Sequence, residues 1–351
     1  MKVPSEQQAM YKVAERLAEL VDVDPAEFHL EARHGAAHAD SVLHVGPYTF
    51  VVEWKGSGTT AAVSAAIERV LDISRDFGGA VVPLVAVPFM GEVGRERCAA
   101  AEVAWLDLSG NARIFAPGLR ILAEGKPNRY KRHGRPSTAF APKSSRIARW
   151  LLMHPDEPLT QREIARATGT DEGYTSRVVG KLEDDGLIIR NSNGAIRPRD
   201  PDLLLDAWRE DYDFSKHHLI RGHIVSRSGD TLLRQLVKGL KQASVQYAAT
   251  GLAAAWLLDR FTGFRIVTLY LAEEPSPDLF AALSFREDAP GANVWFVIPN
   301  DEGVFQGAAI QDGIRCVHPV QAYLDLKAHP ERAGEAAQRL RDEHLRWRTD
   351  D

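Results

Sequence analysis

Apolar and polar positions alternate most regularly between residues 39 and 55. Leu43, Val45, Phe50, Val52 and Trp54 share one side of two β-rich runs, and Gly46-Pro47 between them reads as a tight turn. With Val45 opposite Tyr48, the register puts Asp40 directly across from Glu53 on the other side, and Lys55 follows on the face of Glu53. Helices are expected before this hairpin, over about residues 5–21, and after it, around 64–72.

Between 143 and 199 the pattern predicts three helices and a second hairpin. The first helix runs from Ser144 to about Met153, and Thr160-Gln-Arg-Glu163 forms a capping box that opens the second. Thr168-Gly169-Thr170 turns the chain into a third helix, from about Glu172 to Asp185, with Val178, Val179 and Leu182 inward and Gly186 ending it. Leu187 to Arg190 and Ala195 to Arg197 read as strands around the turn Asn191-Ser-Asn193-Gly194. Farther on, Val245 to Leu258 reads as a buried helix, and Arg265 to Leu271 and Asn293 to Ile298 read as strands. A last helix, from about Pro330 to Trp347, turns Ala336, Leu340 and Leu345 inward. No acid pair, phosphate loop or His/Cys cluster emerges from this last third.

A chain of 351 residues with 44% hydrophobic content suggests two or three globular domains. The expected organisation is α/β multidomain: 1–125, a basic linker at 126–142, a domain of three helices and a hairpin at 143–210 and an α/β domain at 211–351. The two cysteines, Cys98 and Cys316, are far apart and suggest neither a disulfide framework nor a zinc site. With no apolar signal core at the start and no apolar run near membrane-spanning length, a soluble cytoplasmic protein with no membrane partner is expected.

The net charge of −5 argues against bulk affinity for nucleic acid, but the charge is unevenly spread. Gly125 to Pro155 holds no acidic residue, yet it contains Lys126, Arg129, Lys131, Arg132, Arg135, Lys143, Arg146 and Arg149. With Pro127, Pro136 and Pro142 it reads as an extended basic arm able to track phosphates.

Two carboxylates facing each other across a ladder repel, and a divalent cation is the usual compensation. Asp40 and Glu53 would suit Mg²⁺, with Lys55 beside the ion to orient or deprotonate a water. Asp40, then Glu53-Trp54-Lys55 at the end of the next strand, resembles the PD-(D/E)xK motif of the restriction-endonuclease-like superfamily, with Ala39-Asp40 in place of Pro-Asp. That resemblance implies a nuclease-like α/β fold, Mg²⁺ at Asp40 and Glu53, and Lys55 as the catalytic lysine. It also implies a further acid from the first helix, for which Glu15 and Glu19 are both candidates. The Gln or Tyr common on the following helix is missing; Glu68 and Arg69 stand there. Asp107 is a further polar candidate.

Helix, capped helix, turn, helix and hairpin in this order resemble a winged helix-turn-helix, and Ser176-Arg-Val-Val-Gly-Lys-Leu-Glu-Asp-Asp-Gly186 resembles its recognition helix. Tyr174, Arg177 and Lys181 form one polar stripe that could lie in a major groove. Thr175 and Ser176 would contact bases or phosphates near the helix start, and Arg190, Asn193 and Arg197 would reach the flanking backbone. Arg129, Lys131, Arg132 and Arg135 of the arm would add sequence-blind phosphate contacts.

Residues 143–351 also resemble the AbiEi family of type IV toxin–antitoxin antitoxins and regulators. Tyr247-Ala-Ala-Thr-Gly251-Leu-Ala-Ala-Ala, Ala292-Asn-Val-Trp, and Val320-Gln-Ala-Tyr-Leu-Asp-Leu326 with Pro330-Glu-Arg332 carry that resemblance. It implies double-stranded DNA as ligand, with a cognate toxin or a second copy as partner. Two readings of the whole chain follow: a DNA-binding transcriptional regulator with a degenerate nuclease-like domain, or an Mg²⁺-dependent DNA endonuclease targeted by its winged helix. A third, a nucleotidyltransferase relic in the last domain, rests on the Thr250-Gly251 helix start alone.

Overall fold

The computed structural model describes residues 1–23, 29–31, 41–77, 81–130, 139–261, 263–327 and 329–347. The chain divides into two compact units, Met1–Pro136 and Ser137–Asp351. Among the described residues, no helix is long and apolar enough to cross a membrane.

The first unit runs α1 (Glu6–Val21), β1 (His29–Glu31), β2 (Ser41–Val45), β3 (Tyr48–Trp54), α2 (Thr60–Arg75), β4 (Val82–Val87), α3 (Glu92–Ala100), β5 (Ala104–Asp107), β6 (Ala112–Ala116) and β7 (Leu119–Ala123). Its seven strands lie in chain order; β3, β4 and β5 are parallel and every other pair is antiparallel. Val45 pairs with Tyr48 and Ser41 with Val52, and Gly46 makes the turn at φ +56°, where a side chain would be strained. Leu43, Val45, Phe50, Val52 and Trp54 pack with Val13, Ala14 and Leu17 of α1. The opposite face, with Val51, Val85 and Trp105, packs with Val63, Ile67 and Val70 of α2. Glu53 belongs to this second face, because strand side chains alternate.

The second unit begins with α4 (Ser145–Met153), α5 (Gln161–Thr168), α6 (Glu172–Asp184) and the hairpin β8 (Ile188–Arg190) and β9 (Ile196–Pro198). It continues with α7 (Pro201–Asp211), β10 (His218–His223), α8 (Gly229–Gln242), β11 (Tyr247–Thr250), α9 (Gly251–Asp259), β12 (Val267–Leu271), α10 (Pro277–Leu283), β13 (Arg286–Glu287) and β14 (Val294–Ile298). The last elements are β15 (Ala309–Gln311), β16 (Ile314–Cys316), α11 (Pro319–Leu326) and α12 (Ala333–His344). Strands β10 to β16 form one mixed sheet in the order β13-β10-β14-β12-β11-β16-β15.

Two expectations change here. Val245 to Leu258 is not one helix: Tyr247–Thr250 is a central strand, and α9 starts only at Gly251. All four strand residues are buried, so the run carries no alternation and reads the same as a buried helix. Gly251, at φ +58°, makes the break, and a Cβ there would lie 2.8 Å from the His329 ring. The final helix is also shorter than expected and begins at Ala333, after Pro330 and the left-handed Glu331.

Candidate nucleic-acid interface and the polar sites of each unit

The capping box opens α5 as its spacing requires: Thr160 accepts from the Glu163 backbone and Glu163 accepts from the Thr160 backbone. Gly169, left-handed at φ +63°, ends that helix, and Asp171 caps α6 by accepting from the Tyr174 N–H at 2.7 Å. Val178, Val179 and Leu182 are buried, which turns Ser176 and Arg177 to the surface. Tyr174 is half-buried; its hydroxyl shares a hydrogen bond with Ser144 at 2.7 Å. The cationic groups of Lys143 and Arg177 lie 5.2 and 5.8 Å from its ring centroid. The phenol thus fixes the start of α6 against α4 and gathers two cations beside it.

Thr175 requires a correction. It is fully buried, its hydroxyl donates to the Asp171 carbonyl at 2.9 Å, and it shares a hydrogen bond with Thr170. It holds the turn between α5 and α6 and offers no surface to DNA. Lys181 and Arg190 are drawn to acids of the same segment, Lys181 to Asp185 at 2.5 Å and Arg190 to Glu183 at 2.8 Å. Asn193 is exposed in the wing, where its carbonyl accepts from the Ala195 N–H, and Arg197 is exposed on β9. Among the described residues, Lys143, Arg177 and Arg197 make no salt bridge, which leaves them available to phosphate.

The basic arm is also shorter than its composition suggests. Residues 126 to 130 are tied to the first unit: Lys126 N–H donates to Asn111 at 2.8 Å, and Arg129 N–H donates to Ser109 at 3.3 Å. The Arg129 side chain is exposed; Lys131, Arg132 and Arg135 lie outside the described residues. Arg146 and Arg149, counted in the arm, are on α4 and turn into the second unit. Arg146 makes two 2.7 Å bonds to the Asp301 carboxylate. Arg149 is buried, donates to Gln321 at 2.5 Å and stacks 4.9 Å over the Trp208 ring. Helical spacing of three puts both guanidiniums on the face of α4 that packs inward.

Behind Gln321 lies a polar cluster that the sequence reading missed. Asp325 is fully buried. Its Oδ1 accepts from Tyr212, from Tyr270 at 3.0 Å and from Gln321 Nε2 at 2.8 Å, while its Oδ2 accepts from Thr250. Burial raises its pKa to about 6 in spite of these donors. His217 Nδ1 accepts from the Asn300 N–H at 3.1 Å, which leaves the ring proton on Nε2, 3.0 Å from the Tyr212 oxygen. Burial, and then the Arg149 charge, lower His217 to about 4. The one signal in the sequence was Gln321 and Asp325, four apart in an otherwise apolar stretch. The carboxylate of Asp325 thereby ties α11 to the end of α7, to β11 and to β12. Thr250 is engaged with Asp325 and Gly251 lies under His329, so this chain's own side chains fill the helix start that suggested a nucleotidyltransferase.

In the first unit, Glu53 is 1% exposed and pairs with Lys55 at 2.6 Å and with Arg69 at 3.2 Å. Arg69 comes from α2, where the nuclease resemblance expects Gln or Tyr. Asp40 lies outside the described residues. Glu15 and Glu19 are exposed on α1, which covers the opposite sheet face, so neither joins Glu53. Asp107 is buried and accepts from the backbone N–H groups of Met90, Ser109, Gly110 and Asn111 and from the Asn111 amide, which makes it the anchor of two loops. Among the described residues no group of three or more His, Cys, Asp or Glu could hold a metal ion. Among the described residues, the Glu53 carboxylate is flanked by two cations, Lys55 and Arg69.

Residues 141–195 match the family model described as MarR family. Residues 197–346 match the model described as transcriptional regulator, AbiEi antitoxin, type IV TA system. Neither match reaches the first unit. No curated protein and no solved structure matches the chain. Together the two family matches support a winged-helix, DNA-binding transcriptional regulator of antitoxin type for residues 141–346.

Proposed function

We infer that this chain is a transcriptional regulator of the AbiEi antitoxin type that holds duplex DNA through its winged helix. One observation carries the reading: α6 is anchored by Val178, Val179 and Leu182 while Ser176 and Arg177 stand exposed beside Lys143. Arg177 is the base-reading candidate, with Ser176 and Asn193 as polar contacts and Arg197 on the flanking backbone. Lys181 and Arg190 contribute weakly, because phosphate must compete with their acids. A cognate toxin or a second copy is the expected protein partner. The reading is tested by fluorescence anisotropy with duplex DNA from upstream of the chain's own coding region. Saturable binding that Arg177→Ala weakens supports it; identical affinity for unrelated duplexes, unchanged in that variant, overturns it.

The first unit is read as a degenerate PD-(D/E)xK-like platform, because Arg69 pairs with the carboxylate a metal would need. The second reading, an Mg²⁺-dependent endonuclease, is favoured by the 2.6 Å pairing of Lys55 with Glu53 at the end of β3. Supercoiled and single-stranded DNA incubated with Mg²⁺ or Mn²⁺ separates the two.

A further inference from the structure

The sheet face that carries Glu53 is covered at one end and bare at the other. One ladder row crosses five strands through Glu53, Val85, Trp105, Arg113 and Leu122. Trp105 is fully buried, whereas Leu122 is 61% exposed, so the helical cover ends between β5 and the β6–β7 hairpin. In the adjacent row Phe115 faces Arg120 and is 39% exposed. The Arg113 and Arg120 guanidiniums lie 4.3 and 4.7 Å from the Phe115 ring centroid. Neither arginine makes a salt bridge among the described residues.

This two-by-two block places two cations on one diagonal and two apolar side chains on the other. A guanidinium held against a ring loses little freedom when it binds, and its N–H edge can still donate to two oxygens of one phosphate. We propose that the exposed face of the β6–β7 hairpin binds single-stranded nucleic acid, with Arg113 and Arg120 on the phosphates and Phe115 and Leu122 against the bases. A duplex presents sugar and phosphate outward and would leave Phe115 and Leu122 without a partner; an unstacked strand offers both charge and π-face. The surface is separate from α6 in sequence and in the chemistry it would read.

The test uses the full chain and a labelled thymidine 20-mer, followed by fluorescence anisotropy from low to high salt. Wild type should bind with an affinity that falls as salt rises. Phe115→Ala should weaken binding at least about fivefold. Arg113→Gln with Arg120→Gln should lower the logarithmic salt slope by roughly 1–1.5. Unaltered thermal melts would show that the hairpin variants fold. Absence of binding by wild type, or wild-type affinity in the hairpin variants, overturns the proposal. So does a sedimentation result in which wild type is a dimer that Phe115→Ala dissociates, since a second copy would then own the face.

Discussion

Arg149 on α4 and Gln321 on α11 meet at 2.5 Å in the interior of the second unit, and the same Gln321 amide donates to Asp325 at 2.8 Å. One neutral side chain therefore stands between a buried guanidinium and a buried carboxyl. It joins the first helix of the winged-helix segment to the α/β body, beside the Arg146–Asp301 pair.

Gln321→Leu removes the only acceptor that Arg149 has among the described residues. Stranding a buried charge should cost about 3–5 kcal/mol in urea unfolding. Arg149→Met with Gln321→Leu should recover most of that loss, because an apolar pair replaces the polar one. A loss below about 1 kcal/mol in the single variant would show that water reaches the guanidinium.

The second unit should lose stability in acid. His217, His318 and His329 are each lowered to about 4, chiefly by burial. Their contribution is present above pH ~6.5 and is lost as pH falls through about 4, because the unfolded chain binds those protons first. Asp325, raised to about 6, acts in the opposite sense: its contribution is fullest below its ordinary value and is lost as pH rises through about 6. Three groups outweigh one, so melting temperature should fall between pH 6.5 and 4. Asp325→Asn should make that fall steeper. A melting temperature that is flat across this range would refute the assignment of neutral histidines.

Arg177→Ala should cost about 1–3 kcal/mol of duplex binding and relax sequence preference. Thr175→Val should leave affinity per folded molecule unchanged and cost about 1 kcal/mol of stability, since a buried hydroxyl is removed. Titrations of both variants on the same duplex, paired with melts, distinguish a reading residue from a bracing one.

Wild type is expected to leave plasmid and single-stranded DNA uncut with Mg²⁺ or Mn²⁺. Lys55→Ala with Arg69→Ala removes two cationic partners of buried Glu53 and should cost about 3 kcal/mol, most of which Glu53→Gln in the same background restores. Metal-dependent cutting by wild type that vanishes in Asp40→Ala, Glu53→Ala and Lys55→Ala would assign the endonuclease instead.

Local rules were enough for much of this chain. Period-two alternation set the β2–β3 register and the core face of Leu43 to Trp54. A capping box, two stop glycines and inward-facing apolar positions were enough for α5 and α6. These signals survive folding because each depends on neighbours within a few residues. The partners of the charged groups were not legible in the same way. Arg146 and Arg149 read as part of a basic arm, and only the packing of α4 on α11 and on the turn at Asp301 brought their acceptors from more than 150 residues away. Thr175 read as a contact residue until the α5–α6 turn closed over it. Tyr247 to Thr250 could not be told from helix, since a strand buried on both faces loses its period. Local sequence encodes where an element starts and which face it buries; where a charge ends is decided by what the fold sets opposite it.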